Sequence, residues 1–318
     1  MSNYYENYQL ILGDCLEKNE LIESGSVDLI LTDLPYGNIK GLGGELEKYK
    51  RLSNSDWDST IQPQELFNLC NRILRKNGKA IFFSQEPYTT ELVNNSIVNI
   101  PFSYRMTWEK DHFANCLFAN KAPVSYTEDI LVFSKNHDTD ALHPLRPYFK
   151  QVQDFIGLNK KTIVETIGQK ADHTFRTDST QFSLCTDSTY QELIDTFGID
   201  KMEWFKTYFE LKRIDSTFNS TFNLWEGKKY KSNILKYRKD YNGYHPTQKP
   251  VALLQDLIKT FSNENDLIVD LTMGSGSCGV ASILENRKFI GIEKELNYFE
   301  IAQRRISEAL NKEPLLNL

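Results

Sequence analysis

The sequence predicts an α/β fold in which a mainly parallel sheet is covered by helices on both faces. Short apolar runs alternate with segments of helical periodicity both before residue 144 and after residue 242. A glycine-rich turn, Gly274 to Gly279, joins an apolar strand to a helix, as in many ligand-binding α/β folds. The polar stretch between the two parts predicts an insert in the core.

The α/β elements follow one another in a simple order. Before the insert we predict strands at residues 9–12, 27–32, 79–83, 104–108 and 129–134, with a helix at residues 64–74. After Pro250 we predict a helix at residues 251–261, a strand at 266–271, a helix from Ser277, a strand at 288–293 and a helix from Leu296. The two parts supply complementary pieces of one sheet.

The insert is rich in Thr, Lys and Asp and lacks runs typical of buried strands. Short helices are predicted at residues 162–167 and 190–197, because each periodic segment is followed by a glycine, Gly168 or Gly198. We therefore divide the chain into a first core part at residues 1–144, an insert at 145–241 and a second core part at 242–318.

Composition excludes several classes of protein. The five cysteines are scattered without a CxxC pair, which argues against a zinc cluster or a disulfide framework, so no metal is expected. No apolar run approaches the ~18 residues that span a membrane. The first residues lack the layout of a signal peptide, which predicts a cytoplasmic location. The net charge of −6 argues against a protein that coats nucleic acid without specificity.

The first candidate site follows the apolar run Leu267 to Asp270. Glycines at 274, 276 and 279 match the G-x-G-x-x-G pattern, in which the backbone bends sharply and approaches a ligand closely. Glu293 ends the next strand, where an acid can hold both ribose hydroxyls of an adenosine group. Only one clear strand follows Gly279, so most of the sheet must come from upstream sequence. The two halves of the fold are therefore joined in swapped order.

The second candidate site is Asp33-Leu34-Pro35-Tyr36, at the carboxyl end of a strand. The amino group of adenine or cytosine is a poor nucleophile, because its lone pair is delocalised into the ring. A carboxylate and a backbone carbonyl that accept its N–H bonds favour the reactive, pyramidal nitrogen. Pro35 stiffens the turn, and Tyr36 offers a face on which an extruded base can stack.

These segments resemble the motifs of one enzyme family. Asp33 to Tyr36 resembles the D-P-P-Y catalytic motif of amino-group DNA methyltransferases, with Leu34 where proline is usual. His245 to Pro250 resembles the H-x-T-x-K-P segment of that family, and Asp270 to Gly279 its glycine-rich cofactor motif. The catalytic motif precedes the cofactor motif, which is the order of the β class. The resemblance covers residues 8–135 and 243–310.

The resemblance implies a Rossmann-like fold with circularly permuted motif order, a mixed seven-stranded sheet and an inserted target-recognition subdomain. It implies methyl transfer from S-adenosylmethionine to adenine N6 in duplex DNA by base flipping, with catalytic residues Asp33, Leu34, Pro35 and Tyr36. An acid at position 33 favours adenine, because cytosine-N4 enzymes of the family usually carry serine there. The cofactor residues that it implies are Asp14, Asp33, His245, Thr247, Lys249, Asp270, Thr272, Gly274, Ser275, Gly276, Ser277 and Glu293.

A basic segment near the end of the insert is the candidate DNA-binding surface. Residues 226–239 contain six basic residues and one acid, with aromatic neighbours that could stack on bases. We assign DNA contacts to Lys228, Lys229, Lys231 and Arg238. Residues 37–58, glycine-rich and basic, are interpreted as a loop that closes over DNA. Further candidate partners are a cognate restriction enzyme and a second copy of the chain, in a bacterial or phage-encoded system.

Other functions remain open at this point. A cytosine-N4 methyltransferase is the nearest alternative, and a catalytically inactive DNA-binding relative is another. An RNA methyltransferase shares the cofactor chemistry, although the insert favours DNA. A cytosine-C5 enzyme needs a cysteine nucleophile, normally in a Pro-Cys pair that this sequence lacks. A nicotinamide oxidoreductase is disfavoured by the position of the glycine motif near the end of the chain.

Overall fold

The computed structural model describes residues 2–4, 7–37, 60–114, 120, 123–137, 143–179, 181–216, 218, 220–241, 244 and 248–311. The chain divides into two compact units. The first comprises Met1–Leu74, Gly78–Lys135 and Thr221–Leu318, and the second comprises Arg75–Asn77 and Asn136–Ser220.

The first unit is built on one mixed sheet. Its strands are β1 (Ser2–Tyr4), β2 (Tyr8–Leu12), β3 (Val27–Asp33), β4 (Leu74–Ser84), β5 (Phe102–Ala114), β6 (Ser125–Ser134), β7 (Ile234–Lys236), β8 (Leu267–Asp270) and β9 (Lys288–Glu293). Their order is β1-β2-β9-β8-β3-β4-β6-β5-β7. β1 with β2, β4 with β6 and β5 with β6 are antiparallel, and the other neighbours are parallel. The predicted seven-stranded mixed sheet corresponds to β2, β3, β4, β5, β6, β8 and β9, and β1 and β7 extend it at its two edges.

Helices cover both faces of this sheet. The helices of the first unit are α1 (Cys15–Lys18), α2 (Pro63–Ile73), α3 (Tyr88–Asn94), α8 (Val251–Phe261), α9 (Ser277–Leu284) and α10 (Leu296–Asn311). Side chains of β3 alternate between two cores, as the period of a strand requires. Leu29 and Leu31 pack in the core with α8, α9 and α10, whereas Ile30 packs in the core with α2 and α3. The predicted α/β architecture is confirmed.

The sheet brings the two candidate sites together. β3 pairs in parallel with β8, although more than 230 residues separate them along the chain. Because the two strands are parallel neighbours, their carboxyl ends, at Asp33 and Asp270, lie at the same edge of the sheet. The swapped order of the two halves therefore builds one continuous sheet.

The second unit contains α4 (Leu145–Ile156), α5 (Lys160–Ile167), α6 (Asp187–Phe197) and α7 (Tyr208–Ser216). They surround a separate apolar core. The predicted helices before Gly168 and Gly198 are present as α5 and α6. Among the described residues, no helix is long and apolar enough to cross a membrane.

The boundaries of the second unit differ from those predicted for the insert. Residues 221–241 belong to the first unit, although the sequence analysis placed them in the insert. Asn223 explains the difference, because its backbone N–H donates to the Thr260 carbonyl on α8 at 2.7 Å. The same segment then supplies β7, which pairs with β5 at the edge of the sheet.

Candidate active site

A cavity of about 260 Å³ lies in the first unit, at the carboxyl ends of β3, β8 and β9. It is lined by most of the residues that the sequence assigned to catalysis or to the cofactor. These are Asp14, Asp33, Leu34, Pro35, Tyr36, Lys249, Asp270, Thr272, Gly274, Ser275, Ser277 and Glu293. His245 and Thr247 lie outside the described residues, as do residues 38–58 of the predicted loop. Two distant motifs thus form one site.

Glu293 is anchored by the backbone around it. Its Oε2 accepts from the Gly274 N–H at 2.8 Å, and its Oε1 accepts from the Glu295 N–H at 2.8 Å. Burial raises the pKa of this carboxyl. A carboxylate offers about four acceptor sites, so each oxygen can still accept from a ligand hydroxyl. This arrangement fits the ribose diol of an adenosine group.

The glycine turn is held by close packing and by an arginine. A Cβ on Gly276, whose φ is +80°, would lie 2.8 Å from the Cβ of Ala302 on α10. Gly276 lies outside the set of residues that line the cavity, so its role is to let the turn approach α10. Arg305 on α10 donates to the Ser275 carbonyl at 2.6 Å and to the Ser277 hydroxyl at 3.2 Å. Arg305 belongs to none of the sequence motifs, so no pattern in the sequence indicated its role.

Two threonines connect the ends of β3 and β8. Thr32 donates to Asp270 Oδ1 at 2.8 Å, and Thr272 donates to the Asp33 carbonyl at 2.9 Å. Burial raises the pKa of Asp270 to about 7, against hydrogen bonds from Thr32 and the Thr272 N–H that lower it. These bonds fix the carboxyl end of β8, which belongs to the cofactor motif, relative to the catalytic turn after β3. Thr32 was missed, because within an apolar strand it carries no motif signal.

Asp14 has a structural role as well as a place in the cavity wall. Its carboxylate accepts from the Leu16 N–H at 2.8 Å and caps the N-terminus of α1. Asp14 is exposed and belongs to the residues that line the cavity. Helix capping and a place in the cavity wall are therefore compatible roles for this acid.

The catalytic turn is surrounded by charged side chains. The Lys249 ammonium is 2.5 Å from Asp33 Oδ2, and its side chain is only 6% exposed. The Tyr36 hydroxyl is 2.6 Å from Asp33 Oδ1, so both oxygens of this carboxyl are engaged. Lys249 also lies 5.1 Å from the centre of the Phe83 ring. Asp33 is thereby held in one orientation at the cavity.

Two further charged residues complete this cluster. Glu128 on β6 accepts from Lys249 at 2.8 Å and lies 2.7 Å from the Tyr36 hydroxyl. Its other oxygen is 2.8 Å from the ammonium of Lys110 on β5. Both side chains are buried. Sequence reasoning missed this pair, because Glu128 and Lys110 come from different strands and belong to no quoted motif.

Leu34 stands where the family usually has proline, and its side chain is held by packing. Its side chain is 2% exposed and belongs to the core that contains α2. An apolar side chain can therefore hold this part of the turn in place of a rigid ring. The backbone carbonyl of residue 34 remains chemically available as an acceptor.

Gln248 provides an observation on what the cavity can bind. Its amide nitrogen and oxygen are both buried, and neither has a hydrogen-bond partner within the described part of the chain. Buried amides without partners are rare in proteins, and Gln248 lines the cavity. A polar ligand with a donor and an acceptor would satisfy it. S-adenosylmethionine and a nucleobase both carry such groups, so the lining fits either.

The predicted DNA-binding residues lie apart from the cavity. Lys231 forms ion pairs with buried Asp256 and with Glu226, and its side chain is 7% exposed. Its ammonium is withdrawn from the surface, which favours a structural role for Lys231 over the predicted DNA contact. Lys228 pairs with Glu226 at 2.5 Å but is largely exposed. Lys229 and Arg238 are both exposed.

The described residues contain no group of three or more His, Cys, Asp or Glu side chains that could hold a metal ion. The described cysteines, Cys15, Cys70, Cys185 and Cys278, are buried and free. Two of these residues, Cys15 and Cys278, are among those that line the cavity.

The fold and the cavity define the class of protein. The chain resembles the crystal structure of an M1.HpyAVI–SAM complex, with a TM-score of 0.51 and 19% identity over 94% of this chain and 99% of that one. It resembles PvuII DNA methyltransferase (cytosine-N4-specific) with a TM-score of 0.54 and 14% identity over 96% and 92% of the two chains. The fold is that of the DNA methyltransferases.

Sequence comparison identifies the family. The family model N6_N4_Mtase, described as DNA methylase, matches residues 27–304, and the chain belongs to this family. DNA adenine methyltransferase YhdJ of Escherichia coli (strain K12) is 26% identical over 94% of this chain and 83% of its own length. The predicted family is confirmed, and with it a methyltransferase whose methyl donor is S-adenosylmethionine.

Proposed function

We propose that the protein transfers a methyl group from S-adenosylmethionine to the N6 amino group of adenine at specific sites in duplex DNA. The observation that carries this proposal is the position of Asp33. Its carboxylate lies at the wall of the same cavity as Asp270 and Glu293, at one edge of the sheet. A group that binds an amino nitrogen thus lies beside groups suited to an adenosine cofactor.

The cofactor supplies an electrophilic methyl group on a sulfonium. Glu293 binds the ribose hydroxyls, with its orientation fixed by the Gly274 and Glu295 N–H groups. Asp270, Thr272, Ser275, Ser277 and Asp14 form the rest of the proposed binding surface. Within this family, His245 and Thr247 are further candidates on the segment that precedes Lys249.

Asp33 activates the target nitrogen. Its carboxylate and the Leu34 carbonyl accept the two N–H bonds of the amino group, which returns lone-pair density to the nitrogen. Lys249 and Tyr36 fix the orientation of the Asp33 carboxylate before the base arrives. Preorganisation of this kind lowers the cost of reaching the reactive geometry.

Two observations favour adenine as the target. Residue 33 is an aspartate, whereas serine is usual at this position in cytosine-N4 enzymes of the family. The similar protein of Escherichia coli is named a DNA adenine methyltransferase. Cytosine N4 is the second candidate, because the PvuII enzyme with a similar fold modifies that position. A relative that binds the cofactor but modifies no DNA is the third.

The base must leave the duplex to reach this cavity, at a cost of a few kcal/mol. The aromatic ring of Tyr36 lines the cavity and offers a surface for the extruded base. We assign phosphate contacts to Lys228, Lys229 and Arg238, and target recognition to the second unit. A cognate restriction enzyme and a second copy of the chain are proposed partners.

Single-molecule sequencing of DNA from cells that express the protein tests this function. Cells that express Asp33→Ala provide the control. The proposal predicts N6-methyladenine at one recurring sequence motif only with the unsubstituted protein. A methylation pattern identical in both cultures would overturn it.

A further inference from the structure

Four charged groups, three of them buried, alternate in sign next to the catalytic turn. Lys249 connects Asp33 at 2.5 Å with Glu128 at 2.8 Å, and Lys110 contacts Glu128 at 2.8 Å from the other side. The side chains of Lys110, Lys249 and Glu128 are 3%, 6% and 5% exposed. Solvent screens such a row poorly, so each charge acts strongly on its neighbours.

The Tyr36 hydroxyl links the two carboxyls of this row. It lies 2.6 Å from Asp33 Oδ1 and 2.7 Å from Glu128 Oε1. A phenol has one proton and can donate it to only one of these oxygens. The other short contact requires a proton on the carboxyl itself, because two oxygens without a proton between them repel each other.

The electrostatics decide which carboxyl holds that proton. Burial opposes ionisation of Glu128, but Lys249 and Lys110 lower its pKa to about 2. Burial and the charge of Glu128 raise the pKa of Asp33, against the lowering effect of Lys249 and Tyr36. Of the two carboxyls, Asp33 is therefore the one that binds a proton first as the pH falls, while Glu128 stays ionised to lower pH.

We propose that Glu128 is a positioning residue that sets the protonation state of Asp33 through Tyr36, with Lys110 as its counter-ion. This inference rests on the proposed function, in which Asp33 must be ionised to accept N–H bonds from the amino group. The charged and titratable groups that face Asp33 are Lys249, Glu128, Tyr36 and Asp270. Activity is therefore lost as the pH falls through the raised pKa of Asp33.

The two substitutions that test this inference have opposite expected effects. Glu128→Gln removes the negative charge that raises the pKa of Asp33, so the acid limb of kcat/KM moves to lower pH by about one unit or more. Lys110→Gln leaves the charge of Glu128 less compensated, so the acid limb moves to higher pH. kcat/KM is the appropriate quantity, since its pH profile reports groups of the free enzyme.

The matched control is Glu109→Gln, one residue before Lys110 on the same strand. Glu109 forms an exposed pair with Lys236 at 3.1 Å, and its loss should leave the profile unchanged. Glu128→Asp keeps the charge and should retain an acid limb within a few tenths of a unit of the wild-type position. If Glu128→Gln does not fold, Lys110→Gln and Glu128→Asp still test the inference. The acid limb should move to higher pH in Lys110→Gln and should stay in place in Glu128→Asp.

The measurement is initial-rate methylation of DNA between pH 5 and 9, with cofactor affinity measured by calorimetry for each variant. Opposite displacements of the acid limb support the inference. Lower rates with an unmoved limb, or displacement in the same direction for both variants, would overturn it. Failure of the proposed function has a different result, because the wild-type protein would then methylate no DNA, or Asp33→Ala would methylate it as well as the wild type does.

Discussion

The two ends of the cavity are held in place by different kinds of interaction. At the cofactor end, Glu293 is fixed by backbone N–H groups of Gly274 and Glu295. At the catalytic end, Asp33 is fixed by the side chains of Lys249 and Tyr36. Backbone partners depend on the local course of the chain, whereas side-chain partners depend on tertiary packing of separate strands and helices.

This difference has a consequence for mutation. A substitution at the cofactor end should act mainly on affinity for one ligand, because the backbone partners persist. At the catalytic end, each side chain is a partner of several others, so a substitution changes charge and orientation together. Rate and pH dependence should therefore be more sensitive at the catalytic end than at the cofactor end.

The largest effect is expected for Asp33→Ala. It removes an acceptor of the amino group and should reduce methyl transfer to background, while Lys249 keeps Glu128 as an ion-pair partner. Methyl incorporation from labelled cofactor measures the loss, and calorimetry should show cofactor affinity within about threefold of wild type. Loss of cofactor binding together with activity would show that the cofactor end and the catalytic end of the cavity do not function independently.

Glu293→Ala should have a smaller and different effect. Loss of a charge-assisted hydrogen bond should weaken cofactor binding by roughly 1.5–3 kcal/mol, about 10- to 150-fold in Kd. Saturating cofactor should restore much of the rate, unlike in the Asp33 variant. Unchanged affinity in calorimetry would remove Glu293 from the binding site.

The smallest effect concerns DNA affinity outside the cavity. Lys229→Ala should make the negative slope of log K against log salt less steep by about 0.9, because one phosphate contact is lost. Lys231→Met is the contrasting variant. It should leave the slope unchanged but lower the free energy of unfolding, since Asp256 loses its buried counter-ion. Equal slopes for Lys229→Ala and wild type would assign Lys229 to ordinary solvent-exposed surface.

The cofactor end was the more predictable of the two from sequence. Gly274, Gly276 and Glu293 lie within one strand–turn–helix–strand segment, so local pattern was sufficient to identify them. Asp33 and Tyr36 were identified from their motif, but Glu128 is 92 residues from Tyr36 along the chain and is brought there by the pairing of β6. The partners of a catalytic group are set by strand order, which a single motif does not reveal.

Lys231 is a residue for which the sequence pattern and the packing indicate different roles. Its basic neighbours suggested a surface for phosphate groups, yet Asp256 on α8 pairs with its ammonium in the interior. Nothing near Lys231 in sequence indicates that a buried acid lies opposite it. The fold class was predictable because strand and helix periodicities are local, whereas the burial of one lysine depends on the packing of a distant helix.

The most direct test of the catalytic end is nucleoside mass spectrometry of DNA treated with the protein and S-adenosylmethionine, with Asp33→Ala in parallel. The proposed role of Asp33 predicts N6-methyladenine from the wild-type protein and none from the variant. N4-methylcytosine without N6-methyladenine would contradict the adenine assignment. N6-methyladenine formed at wild-type levels by Asp33→Ala would contradict the role of this carboxylate in methyl transfer.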